Sequence, residues 1–294
     1  MELYQVEYFL AVVDHDGIGA AASALGVAQP TISLAIRSLE RELGVDLLYR
    51  VGRGTVLTSA GRGLVGPARR IVRDAVSAEG ELVDAAGQHR GRLDIFVMPA
   101  LAMDPVPQLI GAFRQAFPKV SIRIGDLREE ESGASLIRDG HCEIVVCYLP
   151  ASGTGGLEVC ELGVQEYWAV FPPGTELPVD DPMPLSALPD ESMVVVPKGS
   201  SAAGEVIDAI TQAGRLRLPA AVVEHREARL AFVLAGVAGT FLERSIAQTA
   251  IARGAVVRRV EPRISRAYGL VYDPAALSPV GRAFVELARS DGGT

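Results

Sequence analysis

Gln29, Ser33 and Arg37 recur every fourth residue, so on a helix they share one face. An amide, a hydroxyl and a guanidinium are side chains whose donors and acceptors match the edges of nucleobases: Gln pairs with adenine, Arg with guanine or a phosphate, and Ser with either. Leu34 adds an apolar contact of the kind a thymine methyl takes. Pro30 and Thr31 would sit in the first turn, whose free N–H groups favour phosphate oxygens.

The elements that must position these groups can be read around them. Ile32, Ile36, Leu39 and Leu43 recur at helical spacing on the opposite face and predict an anchored helix over residues 30–42. Residues 20–25 are small and predict a short preceding helix, with Gly26 supplying the turn and Pro30 opening the second helix. Residues 2–14 add an amphipathic helix, with Leu3, Val6, Phe9, Leu10 and Val13 on one stripe. This is the layout of a helix-turn-helix; periodicity alone fits a plain amphipathic helical hairpin equally well.

Residues 47–50 and 55–58 read as short strands around a glycine-bearing turn, a hairpin that would flank the helices as a wing. Arg50 at its root and Arg53 at its tip are placed to meet phosphates or the minor groove; the alternative is a pair of solvated surface arginines. Thr58 suits the N-cap of a long helix over residues 59–87, in which Leu64, Ala68, Ile71, Ala75, Ala78, Leu82 and Ala85 alternate spacings of four and three. That seam predicts pairing with a second copy, the alternative being packing within its own chain. Pro67 lies inside it and would kink it or mark its effective start.

From residue 91 onward, strand-like runs alternate with helical ones, predicting an α/β region of mostly parallel sheets in two repeats, over 93–149 and 166–260. Ligands in such sheets bind beyond the carboxyl ends of strands, and two lobes would enclose a cleft. Lys198, Gly199, Ser200 and Ser201 precede a predicted helix and offer an anion cradle of cation, hydroxyls and helix N-terminus; the alternative is a solvated turn. His225, Arg226 and Thr240 fall at strand ends facing the expected cleft, as do Met98, Ala100, Leu101, Arg128 and Tyr148 from the first lobe. His15, His89, His141 and His225 are scattered, and no metal-ligand spacing or nucleophile motif occurs, so neither an enzyme nor a bound cofactor or metal is expected. Cys142 and Cys147 sit five apart on one predicted strand and would face opposite sides.

The formal net charge is -8, which excludes a generic polyanion binder. Residues 1–90 hold nine Arg against eleven Asp or Glu, so DNA affinity would rest on a few placed arginines, helix N-termini and two copies acting together. The longest strongly apolar stretch, 230–242, is too short to span a bilayer. The N-terminus has no basic run of a secretory signal, and three cysteines suit a reducing compartment; the expected location is the cytoplasm, with no membrane partner.

Phe9, Ala21-Ala22, Leu25, Gln29-Pro30, Ser33, Ile36, Leu39-Glu40, Leu43-Gly44, Leu47 and Arg50, then Leu57-Thr58 and Ala60-Gly61, form a pattern in which the chain resembles the LysR-type transcriptional regulators, and the resemblance covers essentially its whole length. Further along, Gly91-Arg92-Leu93, Phe113, Phe117-Pro118 and Ala235-Gly236-Val237 match the family's sensing domain. Departures include Ile18-Gly19 in the first DNA-facing turn, Leu48, Ala238, and Glu243 where Pro is frequent. The resemblance implies an α/β protein with an N-terminal α-helical winged helix-turn-helix domain (1–58), a linker and dimerisation helix (59–89) and a two-lobed periplasmic-binding-protein-like effector domain (90–294). Its first lobe would span about 91–163 plus 266–294 and its second about 164–265. It further implies a homodimer or homotetramer on double-stranded promoter DNA, controlled by a small-molecule effector. The alternatives are a solute-binding protein without DNA function and a thiol-redox-sensing regulator.

Overall fold

A computed structural model describes residues 1–51, 54–81, 91–127, 132–197, 203–215 and 217–291. The chain opens with α1 (Leu3–Asp14), α2 (Ile18–Leu25) and α3 (Gln29–Leu43), which pack pairwise. Gly26 and Gly44 take left-handed φ values of 67° and 72° and end α2 and α3, a conformation that costs glycine little. Ala21 and Ala22 are buried beside Val12, Ile32 and Ile36, their small size allowing the helices to approach closely. Leu39 joins a second cluster with Val6, Phe9 and Leu10. Leu43, at the last turn of α3, is 40% exposed and does not extend that anchored face, because Gly44 turns the chain away after it. Leu3 is likewise exposed, at the first turn of α1.

Strands β1 (Leu48–Val51) and β2 (Gly54–Leu57) pair antiparallel, Leu48 opposite Leu57 and Arg50 opposite Thr55. The Thr58 hydroxyl donates to the Asp46 carbonyl at 2.7 Å and accepts the Gly61 N–H at 2.8 Å, capping α4 (Ser59–Glu81) as the sequence predicts. Gly61 must be glycine: a Cβ there would lie 2.1 Å from the Leu47 carbonyl oxygen.

The seam expected along α4 is divided. Leu64, Val65, Ala68 and Val72 pack onto Phe9, Leu10, Leu39 and Leu47 of the same chain. The first half is therefore occupied internally, because α1 presents its own apolar stripe to it. The side chains of residues 76–81 and everything from 82 to 90, including Leu82 and Ala85, lie outside the described residues, as does the side chain of Ala78. Helix α4 runs through Pro67 without interruption.

Beyond α4 a seven-stranded sheet has the order Thr240–Glu243, Glu158–Phe171, Ile264–Tyr272, Ile144–Tyr148, Gly91–Val97 and Val120–Asp126, with Val256–Arg258 also paired to Glu158–Phe171. Its parallel part comprises β3 (Gly91–Val97), β4 (Val120–Asp126) and β5 (Ile144–Tyr148). The remainder, β6 (Glu158–Phe171), β10 (Thr240–Glu243), β11 (Val256–Arg258) and β13 (Ile264–Tyr272), is antiparallel. The sheet is mixed where mostly parallel strands were expected, since β6 and β13 run side by side in opposite directions through both halves. Two short parallel pairs, β7 (Met183–Pro184) with β12 (Val260–Glu261) and β8 (Val194–Val195) with β9 (Ala221–Val222), complete the strands described.

Helices α5 (Pro99–Met103), α6 (Val106–Ala116), α7 (Gly133–Arg138) and α11 (Pro279–Asp291) accompany the parallel strands, and Leu93, Ile95, Phe113, Ile144 and Phe284 fill the first lobe's core. Helices α8 (Ala203–Gln212), α9 (Arg229–Leu234) and α10 (Arg244–Ile251) cover the other end, around Tyr167, Phe171, Ile210 and Phe241 on one side and Val170, Val233 and Leu242 on the other. No single helix among the described residues is long and apolar enough to cross a membrane.

Candidate nucleic-acid interface and effector cleft

Burying Ile32, Ile36 and Leu39 fixes which way α3 faces, and that leaves its other side to solvent. Gln29, Pro30, Thr31 and Arg37 are exposed, Ser33 is half-buried and Leu34 is 63% exposed. Ala28 caps the helix without a side-chain hydrogen bond, and Pro30 stands in the first turn. The first-turn N–H groups therefore keep their positive end outward, a setting that stabilises a phosphate. A side of polar hydrogen-bonding groups around one exposed leucine, held by an apolar back, suits a groove reader.

The wing is held to this helix by Glu40. One of its carboxylate oxygens accepts the N–H of Leu47 at 2.8 Å and that of Leu48 at 3.1 Å. Arg50 lies in β1 with its side chain outside the described residues, and Arg53 lies outside them altogether. Sequence reasoning missed Tyr49, which stands exposed across from exposed Val56. Strand alternation was the available signal, since Tyr49 is the neighbour of Arg50.

A cleft of about 600 Å³ opens at the carboxyl ends of β3 and β4. From the first lobe Pro99, Met103, Ile124 and Asp126 line it; from the second, His225 and Arg226 do so, as the sequence predicts. His225 is exposed, 3.9 Å from Glu227. Burial, reinforced by the neighbouring charge of Arg229, lowers the Arg226 pKa from its ordinary value, while Glu243, Asp126 and Glu227 oppose the change.

Other expected cleft residues lie elsewhere. Leu101 is 0% exposed and Ala100 nearly so; both turn inward from α5 into the first lobe's core, where Met98 also sits, so Pro99 and Met103 of the same helix are the ones that face the cleft. Thr240 is buried with its hydroxyl donating to the Val194 carbonyl at 2.8 Å, and it borders a small pocket of about 50 Å³ in the second lobe instead. Tyr148 is buried too. Its hydroxyl pairs with Gln165 and lies 2.9 Å from that of Tyr167, and both phenols are pushed well above the ordinary range, by burial first. Arg128, Lys198, Gly199, Ser200 and Ser201 lie outside the described residues.

That phenol cluster was invisible in the sequence. Gln165 reaches from β6 to the Asp104 carbonyl at 2.7 Å, and Arg266 on β13 stacks over the Tyr148 ring at 4.7 Å while pairing with Glu205 of α8 at 3.1 Å. Only sheet register brings β5, β6 and β13 together. Cys142 and Cys147 are buried, and burial pushes their thiols up to about 12 and about 11; Cys160 is half-buried.

Comparison with known proteins agrees with this geometry. Residues 3–62 match the model of the bacterial regulatory helix-turn-helix protein, lysR family, and residues 86–292 that of the LysR substrate binding domain. The chain is 31% identical over 98% of both chains to the HTH-type transcriptional regulator TfdS of Cupriavidus pinatubonensis. A full-length OxyR structure from Pseudomonas aeruginosa superposes with a TM-score of 0.69 at 19% identity, covering 98% of each chain. Full-length CbnR complexed with its target DNA gives 0.65 at 24% identity, covering 99% of this chain and 100% of that one. The chain belongs to the LysR family of transcriptional regulators, with an N-terminal helix-turn-helix and a LysR substrate-binding domain.

Proposed function

We propose that this LysR-family regulator is a cytoplasmic homodimer or homotetramer that lays α3 in the major groove of promoter DNA and is controlled by a small molecule held in the cleft between its lobes. The observation that carries the DNA reading is the division of α3 into a buried Ile32–Ile36–Leu39 back and an exposed face bearing Gln29, Thr31, Leu34 and Arg37. Gln29 and Arg37 read base edges, Ser33 and Leu34 contribute shorter contacts, Pro30 and Thr31 approach a phosphate, and Arg50 and Arg53 of the wing follow the backbone. Residues 1–58, 59–89 and 90–294 act as reader, linker and sensor. The CbnR complex with target DNA supports this reading by likeness of fold.

In the cleft, Arg226 takes the polar end of an organic anion while Met103 and Ile124 take its apolar body. Residues 198–201 precede α8 and add a second anion cradle. Family membership disfavours a solute-binding protein without DNA function, and the raised thiols of Cys142 and Cys147 disfavour a thiol sensor built on them.

A mobility-shift assay with the DNA upstream of the protein's own gene tests the reading. Retardation at low salt that weakens steeply as salt rises is expected, and no retardation at low salt overturns it. For the cleft, a thermal-shift screen of small carboxylates should find stabilisers whose effect is lost in Arg226→Ala; stabilisation unchanged in that variant removes Arg226 from the site.

A further inference from the structure

Between α1, α4 and the first lobe lies a cavity of about 320 Å³ that neither the DNA-facing helix nor the effector cleft uses. Four guanidinium groups line it, those of Arg69, Arg73, Arg92 and Arg123, against two carboxylates, Asp14 and Asp94. Four cations less two anions leave a surplus of two positive charges on this wall, in a chain whose formal net charge is -8. Counting Glu143, which stands behind Arg73, the surplus is still positive.

The cations are incompletely matched. Arg92 donates through Nε and Nη2 to Asp94 Oδ1, at 2.9 and 2.8 Å, and Arg123 lies 3.6 Å from that same oxygen. Two guanidiniums thus share one carboxylate oxygen. The Arg73 side chain is 7% exposed, and its Nε, 3.6 Å from Glu143 Oε1, has no hydrogen-bond partner among the described residues. A cation held this far from water against one carboxylate at 3.6 Å is under-compensated, and an anion in the cavity that its guanidinium borders adds favourable charge without needing to reach the buried Nε.

The cavity walls are fixed by close backbone packing. A Cβ on Gly66 of α4 would lie 2.5 Å from the Arg138 carbonyl oxygen, and one on Gly140 would lie 2.7 Å from the Gly66 carbonyl oxygen. Arg69 reaches across the gap, pairing with Asp14 of α1 and lying 2.6 Å from His141 Nδ1.

We propose that this cavity is a second ligand site, taking a small doubly charged oxyanion, a phosphate or a dicarboxylate, that ties the linker helix to the first lobe and strengthens the docking of the DNA-binding domain on the sensor. Arg92 and Arg123 from the lobe and Arg73 from the helix hold the oxyanion between them by charge-assisted hydrogen bonds.

Thermal unfolding of the full chain tests this, in inorganic phosphate and separately in malonate, each against sodium chloride at equal ionic strength. At least one of the two should raise Tm by on the order of 2–4 °C beyond chloride, and which one does so identifies the ligand class. The rise should vanish in Arg92→Gln and Arg123→Gln, whose side chains are 44% and 52% exposed, and persist in Arg226→Gln. No rise beyond chloride with either anion overturns the proposal. A rise that survives both Arg92→Gln and Arg123→Gln, or that disappears in Arg226→Gln, also overturns it, the last by assigning the anion to the effector cleft.

Discussion

The carboxylate of Glu40, on the third helix, accepts the backbone N–H of Leu47 at 2.8 Å and joins the far end of the reading helix to the first wing strand. The same oxygen takes the Leu48 N–H, so one side chain satisfies two donors that the turn would otherwise leave unpaired. Glu40→Ala should cost about 1–3 kcal/mol of stability in chemical denaturation and weaken DNA binding, because the wing loses its fixed angle to α3. Unchanged stability would show that water replaces the carboxylate without penalty.

Glu243 departs from the family pattern, and the fold supplies its partner. Arg229 Nη2 lies 3.2 Å from each of its carboxylate oxygens, both side chains are buried, and Arg229 also donates to the carbonyls of Phe241 and Arg226. Removing one partner strands the other charge. Arg229→Met alone should therefore destabilise the chain by about 3–5 kcal/mol, and the double variant Arg229→Met, Glu243→Leu should recover much of that loss. A double variant no more stable than the single one would mean that the carbonyl bonds of Arg229, rather than the ion pair, carry the effect.

His141 predicts a pH dependence of known sign. Burial, then the charge of Arg69, lowers its pKa below 6.5, with Asp139 and Asp14 opposing. The unfolded chain then binds this proton more readily than the folded one, so the histidine's contribution to stability is intact above its unfolded pKa and is lost as pH falls through that value toward the folded pKa. Wild-type Tm should fall between about pH 7 and 5.5 more steeply than that of His141→Asn. Equal slopes would mean that His141 is as easily protonated in the folded chain as in the unfolded one.

The three cysteines should separate by reactivity. Burial holds Cys142 and Cys147 as thiols, at about 12 and about 11, while Cys160 is half-buried. A thiol reagent at neutral pH should label Cys160 rapidly and the other two only on unfolding, and Cys160→Ser should abolish the fast phase. Fast labelling of Cys142 or Cys147 would reopen a redox role.

The reading helix was legible in the sequence because an amphipathic helix exposes its division directly: the residues at helical spacing from Ile32 are the buried ones, and Gln29 and Arg37 fall opposite. Only its end misled, where Leu43 continues the period but Gly44 has already turned the chain. The linker was half legible. Its spacing named an apolar face but not what covers it, and Phe9 and Leu10 of α1 cover the first part. The cleft was legible only at the entry to the short 3-10 turn ahead of α9, where His225 and Arg226 stand. Within the five-residue helix α5 nothing in the sequence distinguished Leu101, which turns into the core, from Met103, which faces the cleft. Tyr148 and Thr240 were placed at strand ends correctly, but side-chain direction there follows from a register set by distant strands.

DNA recognition by α3 is tested most directly by the dissociation constant for promoter DNA at fixed salt, for wild type and for Arg37→Ala, an exposed residue whose loss leaves the Ile32–Ile36–Leu39 anchor in place. A bidentate base contact is worth about 1–3 kcal/mol, so the variant should bind roughly five-fold or more weakly at unchanged thermal stability. Operator affinity equal to wild type would contradict the assignment of this face to DNA.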